Sequence, residues 1–299
     1  MPDEEACVHV MSRVVQKRFL IDDRGMEEMR RILRTQAEFA GLDVITFCFL
    51  KNHFHILLHI DPKRAYEHVA DDELVRRFRT LYGSKRSPSI GADTEGLEAL
   101  LEHGGERATR VRERLKARMG DVSVFMRELK TRFTFWYNRN YQTVGTFWAE
   151  RFRSVLVEPG SEALRTVAAY IDLNAVKAGL AEEPTSYRFC GLGEATMGNR
   201  RARSAYGWLM RRRRGRTGST RPSEEIFSEY AAHVERIVKR LQIERAANQK
   251  NHPDTLSDQP PVVEEDPAAE GYRGKKGAIG SAAWISHLCQ AGGPFRPVN

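Results

Sequence analysis

Apolar positions change their spacing along the first part of the chain, which predicts a strand, a helix and a strand pair. Residues 7–15 are rich in β-branched side chains and predict the first strand. The next apolar residues recur at helical spacing and end at Gly41, which predicts a helix. Its apolar positions are Met26, Met29, Ile32 and Leu33. Two β-rich runs, 42–50 and 52–60, follow with almost nothing between them and predict an antiparallel hairpin.

Two strong helices and one strand are predicted in the next part of the chain. Asp121 is placed to cap a helix over 122–141, and Ser161 to cap one that ends near Gly179. Residues 151–158 predict a fourth strand between them. The core stripe of the first of these helices is predicted to be Val122, Phe125, Met126, Leu129, Phe133 and Trp136. Four strands with helices on one side favour an α+β sandwich.

Two regions depart from this pattern. The first follows a short helix that is expected near residues 70–80. It comprises residues 83–120, which are loop-like at first and then heavily basic. We interpret that stretch as a surface insertion with an exposed basic helix. Residues 1–195 are predicted to form one domain. Residues 196–299 form an extension that is basic and helical at first, with a disordered tail rich in Pro and acidic side chains.

Composition narrows the class of partner only slightly. The chain has 299 residues, is 41% hydrophobic, and carries a formal net charge of +8, which favours a polyanion such as nucleic acid. A solubilising surface would give the same charge. The four cysteines form no CxxC pair, so they indicate neither a zinc knuckle nor a disulfide framework, and we expect a cytoplasmic protein. We find neither a signal-peptide pattern nor an apolar run long enough to span a membrane.

The run "FCFLKNHFHILLHI" places histidines on one face of a predicted strand. His53 and His55 are two residues apart, so they share a face and can converge on one divalent metal or one phosphate. Phe54 and the other even-numbered residues point to the opposite face, into the core. Leu57 interrupts the histidine row, and His59 lies too far along the strand for the same ligand. A lone histidine on a strand is most often an ordinary half-buried side chain, and we interpret His59 and the scattered histidines, including His9, in that way.

The helix after Ser161 offers polar groups that would complete such a site. Tyr170, Asn174 and Lys177 fall in one stripe, beside the apolar stripe by which the helix docks. Asp172 and Arg165 fall on the remaining side, which we expect to face water. An amide oxygen suits Mg²⁺ or Mn²⁺, a phenol can attack phosphorus, and an ammonium can steady the phosphate. The helix alone equally allows an ordinary core-edge tyrosine and a solvent-facing asparagine.

Together these segments resemble the single-tyrosine HUH transposases, and in particular the group of REP-associated tyrosine transposases. The resemblance rests on "LKNHFHILL" and "AAYIDLNAVKAGL". "HVMSRVVQKRFLIDD", "FMRELKTRFTFWYNRNY", "GTFWAERFRSVLVE" and "PTSYRFCGLGEA" fit the same group, so it covers residues 7–195. This chain departs from the pattern of the group at Ala175, where the group commonly has proline. It also departs at Phe152, where some relatives have tyrosine.

The resemblance implies a ferredoxin-like antiparallel sheet and an enzyme that cleaves and rejoins single-stranded DNA near hairpins. It implies that His53, His55 and Asn174 hold a divalent metal, Mg²⁺ or Mn²⁺, and that Tyr170 forms a 5′-phosphotyrosine. Tyr137, Tyr141 and Tyr187 are rival tyrosines, but none combines a helix with an amide four residues later, as Tyr170 does with Asn174. The expected partner is single-stranded or hairpin DNA, with no membrane, and the protein is expected to be a monomer or a homodimer.

Basic side chains near the predicted site are candidates for contacts with DNA phosphates. We assign this role to Lys177, Arg127 and Lys130, together with the basic stretches of the insertion and the extension. Three other functions are compatible with the sequence: a domesticated or inactive protein that binds DNA hairpins, a metal-dependent phosphodiesterase that uses water, and an RNA-binding module.

Overall fold

The computed structural model describes residues 4–211, 223–251, 273–274 and 278–279. The chain divides into two compact units. One comprises Met1–Ala6, Arg13–Asp43 and His59–Phe152, and we call it the helical unit. The other comprises Cys7–Ser12, Val44–Leu58 and Arg153–Asn299, and we call it the sheet unit.

The sheet is built around four main strands: β1 (Ala6–Arg13), β2 (Asp43–Phe49), β3 (His53–Ile60) and β4 (Arg153–Val157). Their spatial order is β2-β3-β1-β4, so β1 and β3 are the central pair, as in a ferredoxin-like sheet. Strands β1 and β4 are antiparallel. The predicted α+β class is therefore confirmed.

Two very short strands extend this sheet beyond the four that the sequence predicts. They are β5 (Arg273–Gly274) and β6 (Ala278–Ile279). Strand β6 pairs with β4 in parallel, and β5 pairs with β6 in antiparallel orientation. Most of the acidic, Pro-rich tail, which is predicted to be disordered, lies outside the described residues.

The helical unit contains α1 (Asp23–Ala40), α2 (Asp71–Tyr82), α3 (Thr94–His103), α4 (Gly105–Lys116) and α5 (Val122–Tyr141). Asp121 caps α5 as predicted, because its carboxylate accepts a hydrogen bond from Val124 N at 2.8 Å. The insertion at residues 83–120 contains two helices, α3 and α4, and not only the exposed basic helix that the sequence predicts. Buried apolar residues of α3 and α4 share one core cluster with residues of α2: Leu74, Phe78, Leu97, Leu101, Ala108 and Leu115.

The predicted core stripe of α5 is wrong at its last position. Tyr137 is buried with 7% of its surface exposed, whereas Trp136 is only half-buried. The rings of Tyr137 and Phe133 lie 6.1 Å apart, and the Arg24 guanidinium lies 5.6 Å from the centre of the Trp136 ring. Trp136 and Tyr137 are neighbours on the helix, about 100° apart, and the Trp136 ring also lies near Phe133, at 5.7 Å. The Tyr137 ring packs in addition 4.5 Å from the ring of Phe147, which is buried.

The sheet unit contains α6 (Glu162–Asp172), α7 (Asn174–Lys177), α8 (Gly191–Thr196), α9 (Arg200–Arg211) and α10 (Ser223–Asn251). Ser161 caps α6 as predicted, with Leu164 N donating to its hydroxyl at 3.1 Å. The single helix predicted here is interrupted at Leu173. This interruption separates α6 from α7 and places Asn174 at the start of the shorter helix.

The first part of the extension contributes to the core of the sheet unit. Side chains of α9 and α10 share one buried cluster with those of α6: Leu164, Val167, Ile171, Tyr206, Leu209, Tyr230 and Val234. The domain boundary at residue 195 stays a prediction. Among the helices of the described residues, none is long and apolar enough to cross a membrane.

Candidate active site

The predicted histidine face of β3 exists, but it is buried. His53 and His55 are 7% and 3% exposed, and Phe54 on the opposite face is fully buried. The two imidazole rings lie 5.2 Å apart, at an interplanar angle of 78°. Both histidines are therefore held on one covered face, where a ligand bound to them would be shielded from bulk water.

A neighbouring side chain contacts the Nδ1 atom of each of these histidines. His53 Nδ1 lies 2.6 Å from Asn52 Oδ1, and His55 Nδ1 lies 3.0 Å from Nε2 of His9. An imidazole that donates from Nδ1 carries its lone pair on Nε2. The amide oxygen of Asn52 only accepts, so this contact favours the His53 tautomer whose Nε2 can bind a metal, whereas in the pair of His55 and His9 either nitrogen can donate.

His59 occupies a different environment at the far end of β3. Its Nε2 atom lies 2.6 Å from Glu5 Oε1, and its Nδ1 atom lies 3.1 Å from Asp43 Oδ2. The sequence analysis placed His59 outside the site of His53 and His55. The side chains that His59 contacts here are two carboxylates of the helical unit.

Helix α6 brings Tyr170 to the histidine face. The Tyr170 ring lies 5.7 Å from the His55 ring at an angle of 89°, so one ring meets the other edge-on. The Lys177 ammonium lies 4.6 Å from the centre of the Tyr170 ring. Thus a phenol, an ammonium and the His53–His55 pair lie within one neighbourhood of the sheet unit.

Asn174 is anchored by its amide nitrogen at the break between α6 and α7. It is 1% exposed, and Nδ2 donates to the carbonyl oxygens of Tyr170 at 2.9 Å and Ile171 at 3.4 Å. Its Oδ1 atom is buried and has no hydrogen-bond partner among the described residues. A buried polar atom without a partner costs roughly 1–3 kcal/mol, so this oxygen fits a role as a ligand atom.

His53, His55 and Asn174 carry donor atoms of types that a divalent metal can bind. Within the described ranges, no group of three His, Cys, Asp or Glu side chains is arranged to hold a metal ion. The amide oxygen of Asn174, which has no hydrogen-bond partner among the described residues, is a candidate donor of another type, and amide oxygens are acceptable ligands of Mg²⁺ and Mn²⁺.

Asp172 corrects an expectation from the sequence, since it does not face water. The side chain is fully buried and accepts hydrogen bonds from Thr46 Oγ1 at 2.5 Å, Tyr206 OH at 2.9 Å and Tyr230 OH at 2.6 Å. Burial raises the pKa of Asp172 to about 6, although these hydrogen bonds lower it. The residue between Tyr170 and Asn174 is thus fixed to β2, α9 and α10.

The two predicted phosphate contacts on α5 belong to the helical unit. Arg127 is exposed to solvent. Lys130 is half-buried, and its ammonium donates to the backbone carbonyl of Glu150 at 2.6 Å and lies 5.6 Å from the centre of the Trp148 ring. Burial lowers the pKa of Lys130 to about 8. Their contact with DNA stays a prediction.

The sequence analysis missed His9. It lies on β1, opposite Val155 of β4, and its ring lies 6.3 Å from that of Tyr170. Burial lowers the pKa of His9 to about 4, so the imidazole is neutral near pH 7. The pattern of "VHVM" places His9 on one strand face, but only the order of strands in the sheet places that face beside His55.

The His53–His55 strand and the helix that carries Tyr170 thus lie together, as ring contacts between His55 and Tyr170 and between His53 and His55 show. Residues 4–72, which include the histidine strand, match the family described as "Transposase IS200 like". The predicted resemblance to the transposases is therefore confirmed over these residues.

One solved structure is similar over a larger part of the chain. It is described as a REP-associated tyrosine transposase bound to a REP hairpin, and it is 12% identical in sequence. The similarity covers 66% of this chain and 83% of that one, with a TM-score of 0.41. No curated protein sequence matches the chain significantly.

Proposed function

We propose that this protein is a metal-dependent transesterase that cleaves single-stranded DNA near hairpins and rejoins it through a 5′-phosphotyrosine. The observation that carries the proposal is the placement of the Tyr170 ring against the His53–His55 pair. A phenol beside two potential metal ligands is the constellation that this chemistry needs.

His53, His55 and Asn174 would hold Mg²⁺ or Mn²⁺ in this proposal. The bound ion would supply Lewis acidity, which draws charge from the phosphoryl oxygens and makes phosphorus more electrophilic. The chain itself supplies the orientation of these donors. Asn174 Nδ2 donates a hydrogen bond to the carbonyl oxygen of Tyr170. This bond would fix the position of the ligand oxygen relative to the helix that carries Tyr170.

Tyr170 would attack phosphorus and form a new bond between its phenol oxygen and the phosphate. The bond from phosphorus to the 3′ oxygen breaks in the same exchange. The phenol loses its proton, and the departing 3′ oxygen takes one up, so no net proton and no ATP are required. A second 3′-hydroxyl can then reverse the reaction and rejoin the strand. The Lys177 ammonium lies close enough to the Tyr170 ring to favour the negative charge that develops there.

The direct test is a search for a covalent complex with Mn²⁺ and a DNA hairpin carrying single-stranded flanks. One strand preparation is labelled at its 3′ end and another at its 5′ end. The 3′ label is expected to migrate with the denatured protein, because the tyrosine retains the 5′ phosphate of the downstream fragment. The 5′ label is expected on a free fragment that ends in a 3′-hydroxyl.

The same experiment separates the alternative functions. A phosphodiesterase that uses water would release both labels on free fragments and leave no covalent band. A protein that only binds hairpins would leave the DNA uncut, although a gel shift would show the complex. Either result would contradict the proposed function.

The role of Asn174 predicts a difference between two substitutions. Asn174→Leu removes the amide oxygen, and we expect the affinity for Mn²⁺ to fall by about tenfold or more. Asn174→Gln keeps an amide oxygen on a longer side chain, and it should retain part of the affinity. Calorimetric titration with Mn²⁺ in the absence of DNA measures both. Equal affinities of Asn174→Leu and the wild-type protein would exclude Asn174 as a ligand.

Arg127 is the better test of a phosphate contact on α5, because it is exposed and Lys130 is tied to a backbone carbonyl. We expect Arg127→Ala to weaken DNA binding about equally for all sequences. The slope of log affinity against log salt concentration should decrease by about 1. Fluorescence anisotropy at several salt concentrations measures this slope. Arg79→Ala, at an exposed arginine outside the basic stretches, is a matched control for net charge, and an equal effect of both variants would show that Arg127 makes no specific contact.

A further inference from the structure

The side chain of His9 has no role in the chemistry described so far, yet it lies directly beside a candidate metal ligand. Strands β1 and β3 are neighbours in the centre of the sheet, and both His9 and His55 belong to the sheet unit. Their closest ring atoms, His9 Nε2 and His55 Nδ1, are 3.0 Å apart.

The geometry of the two rings is that of a hydrogen bond in a common plane. The ring planes differ by 20°, and the centroids lie 5.2 Å apart. Each nitrogen lies roughly 1.2 Å from its ring centre, by ordinary ring bond lengths. The 3.0 Å between the nitrogens and these two radii together are about as long as the centroid distance, so the rings lie end to end. Two imidazoles bound to one tetrahedral ion would instead meet at an angle.

We propose that His9 is a positioning residue that fixes the tautomer and the orientation of His55. His9 Nε2 accepts the proton of His55 Nδ1, and the lone pair of His55 is thereby placed on Nε2. A buried acceptor on the second nitrogen of a metal-binding histidine holds its ring and increases its basicity. Here a neutral imidazole takes the place that a carboxylate or a backbone carbonyl often has. This inference rests on the proposed function, in which His55 binds the metal.

Two substitutions of His9 separate a hydrogen bond from simple packing. His9→Gln keeps an acceptor near the position of Nε2, whereas His9→Leu fills the space without one. We expect His9→Leu to weaken Mn²⁺ binding by roughly 10–100-fold, and His9→Gln to recover most of the affinity. His55→Ala is the reference for loss of the ligand itself. All titrations use the full chain without DNA, and thermal unfolding shows that each variant is folded.

A spectroscopic measurement reports on the tautomer directly. Long-range ¹H–¹⁵N spectra of the metal-free protein, labelled at histidine, distinguish an imidazole protonated at Nδ1 from one protonated at Nε2. We expect His55 to be protonated at Nδ1 in the wild-type protein and in His9→Gln. In His9→Leu we expect it to shift toward the Nε2-protonated form.

The possible results distinguish this inference from the proposed function. If the wild-type protein binds Mn²⁺, His55→Ala loses it and His9→Leu binds like the wild type, the role of His9 is disproved and the metal site stands. Equal losses in His9→Leu and His9→Gln, with an unchanged His55 tautomer, would also disprove it. If the wild type and His55→Ala bind Mn²⁺ equally, both the metal site and the role of His9 are wrong.

Discussion

Tyr170→Phe should yield no covalent protein–DNA complex with a hairpin substrate and Mn²⁺, while DNA binding is nearly unchanged. The substitution removes only the phenol oxygen that would become bonded to phosphorus. The ring keeps its edge-on contact with His55 and its place beside the Lys177 ammonium. We expect the DNA dissociation constant to change by less than about threefold, the effect of losing at most one weak hydrogen bond. Denaturing gels detect the complex, and anisotropy measures binding.

A second tyrosine provides the control for this experiment. Tyr141→Phe also removes one phenol oxygen, which donates to the carboxylate of Asp22 at 2.7 Å in the helical unit. The covalent band should persist in Tyr141→Phe at nearly the wild-type yield. A band that persists in Tyr170→Phe, or that disappears only in Tyr141→Phe, would show that Tyr170 is not the nucleophile.

Asp172→Ala should destabilise the protein by about 3–5 kcal/mol, which is large for a single substitution. The change removes the acceptor of three hydroxyl groups, from Thr46, Tyr206 and Tyr230, inside a fully buried site. Buried hydroxyl groups that have lost their acceptor are still removed from water, and no hydrogen bond compensates for this desolvation. Urea unfolding at pH 7, followed by circular dichroism, measures the change in the free energy of unfolding.

Two milder substitutions calibrate this effect. Tyr230→Phe removes one of the three donors and should cost about 1.5–3 kcal/mol, the range for a hydrogen bond to a charged group. Asp172→Asn keeps one acceptor oxygen and should lie between Tyr230→Phe and Asp172→Ala. If Asp172→Ala lowers the stability by less than about 1 kcal/mol, the buried carboxylate is not a main support of α6.

Local patterns predicted the parts of the fold and site that depend on short stretches of chain. The alternation in "NHFHILLHI" placed His53 and His55 on one face, and the structure keeps them there. The caps Asp121 and Ser161 start their helices as predicted. Each of these features is determined by neighbours within a few residues, which a sequence displays directly.

The features that the sequence did not predict depend on contacts between distant residues. Asp172 falls on the polar side of α6 by helical periodicity, but Thr46 and two tyrosines of α9 and α10 cover that side. His9 is an ordinary strand residue until the sheet order brings it to His55. Periodicity gives the direction of a side chain and not the identity of what packs there.

The buried carboxylate of Asp172 also bears on whether a part of this protein can be moved into another protein. Two of its three hydroxyl donors, Tyr206 and Tyr230, come from beyond residue 195, whereas the family match ends at residue 72. A shortened protein that ends at residue 195 would retain Thr46 as the only one of these donors. Transfer of α6 to another host protein, or shortening of this protein around α6, would therefore need α9 and α10 to be carried with it.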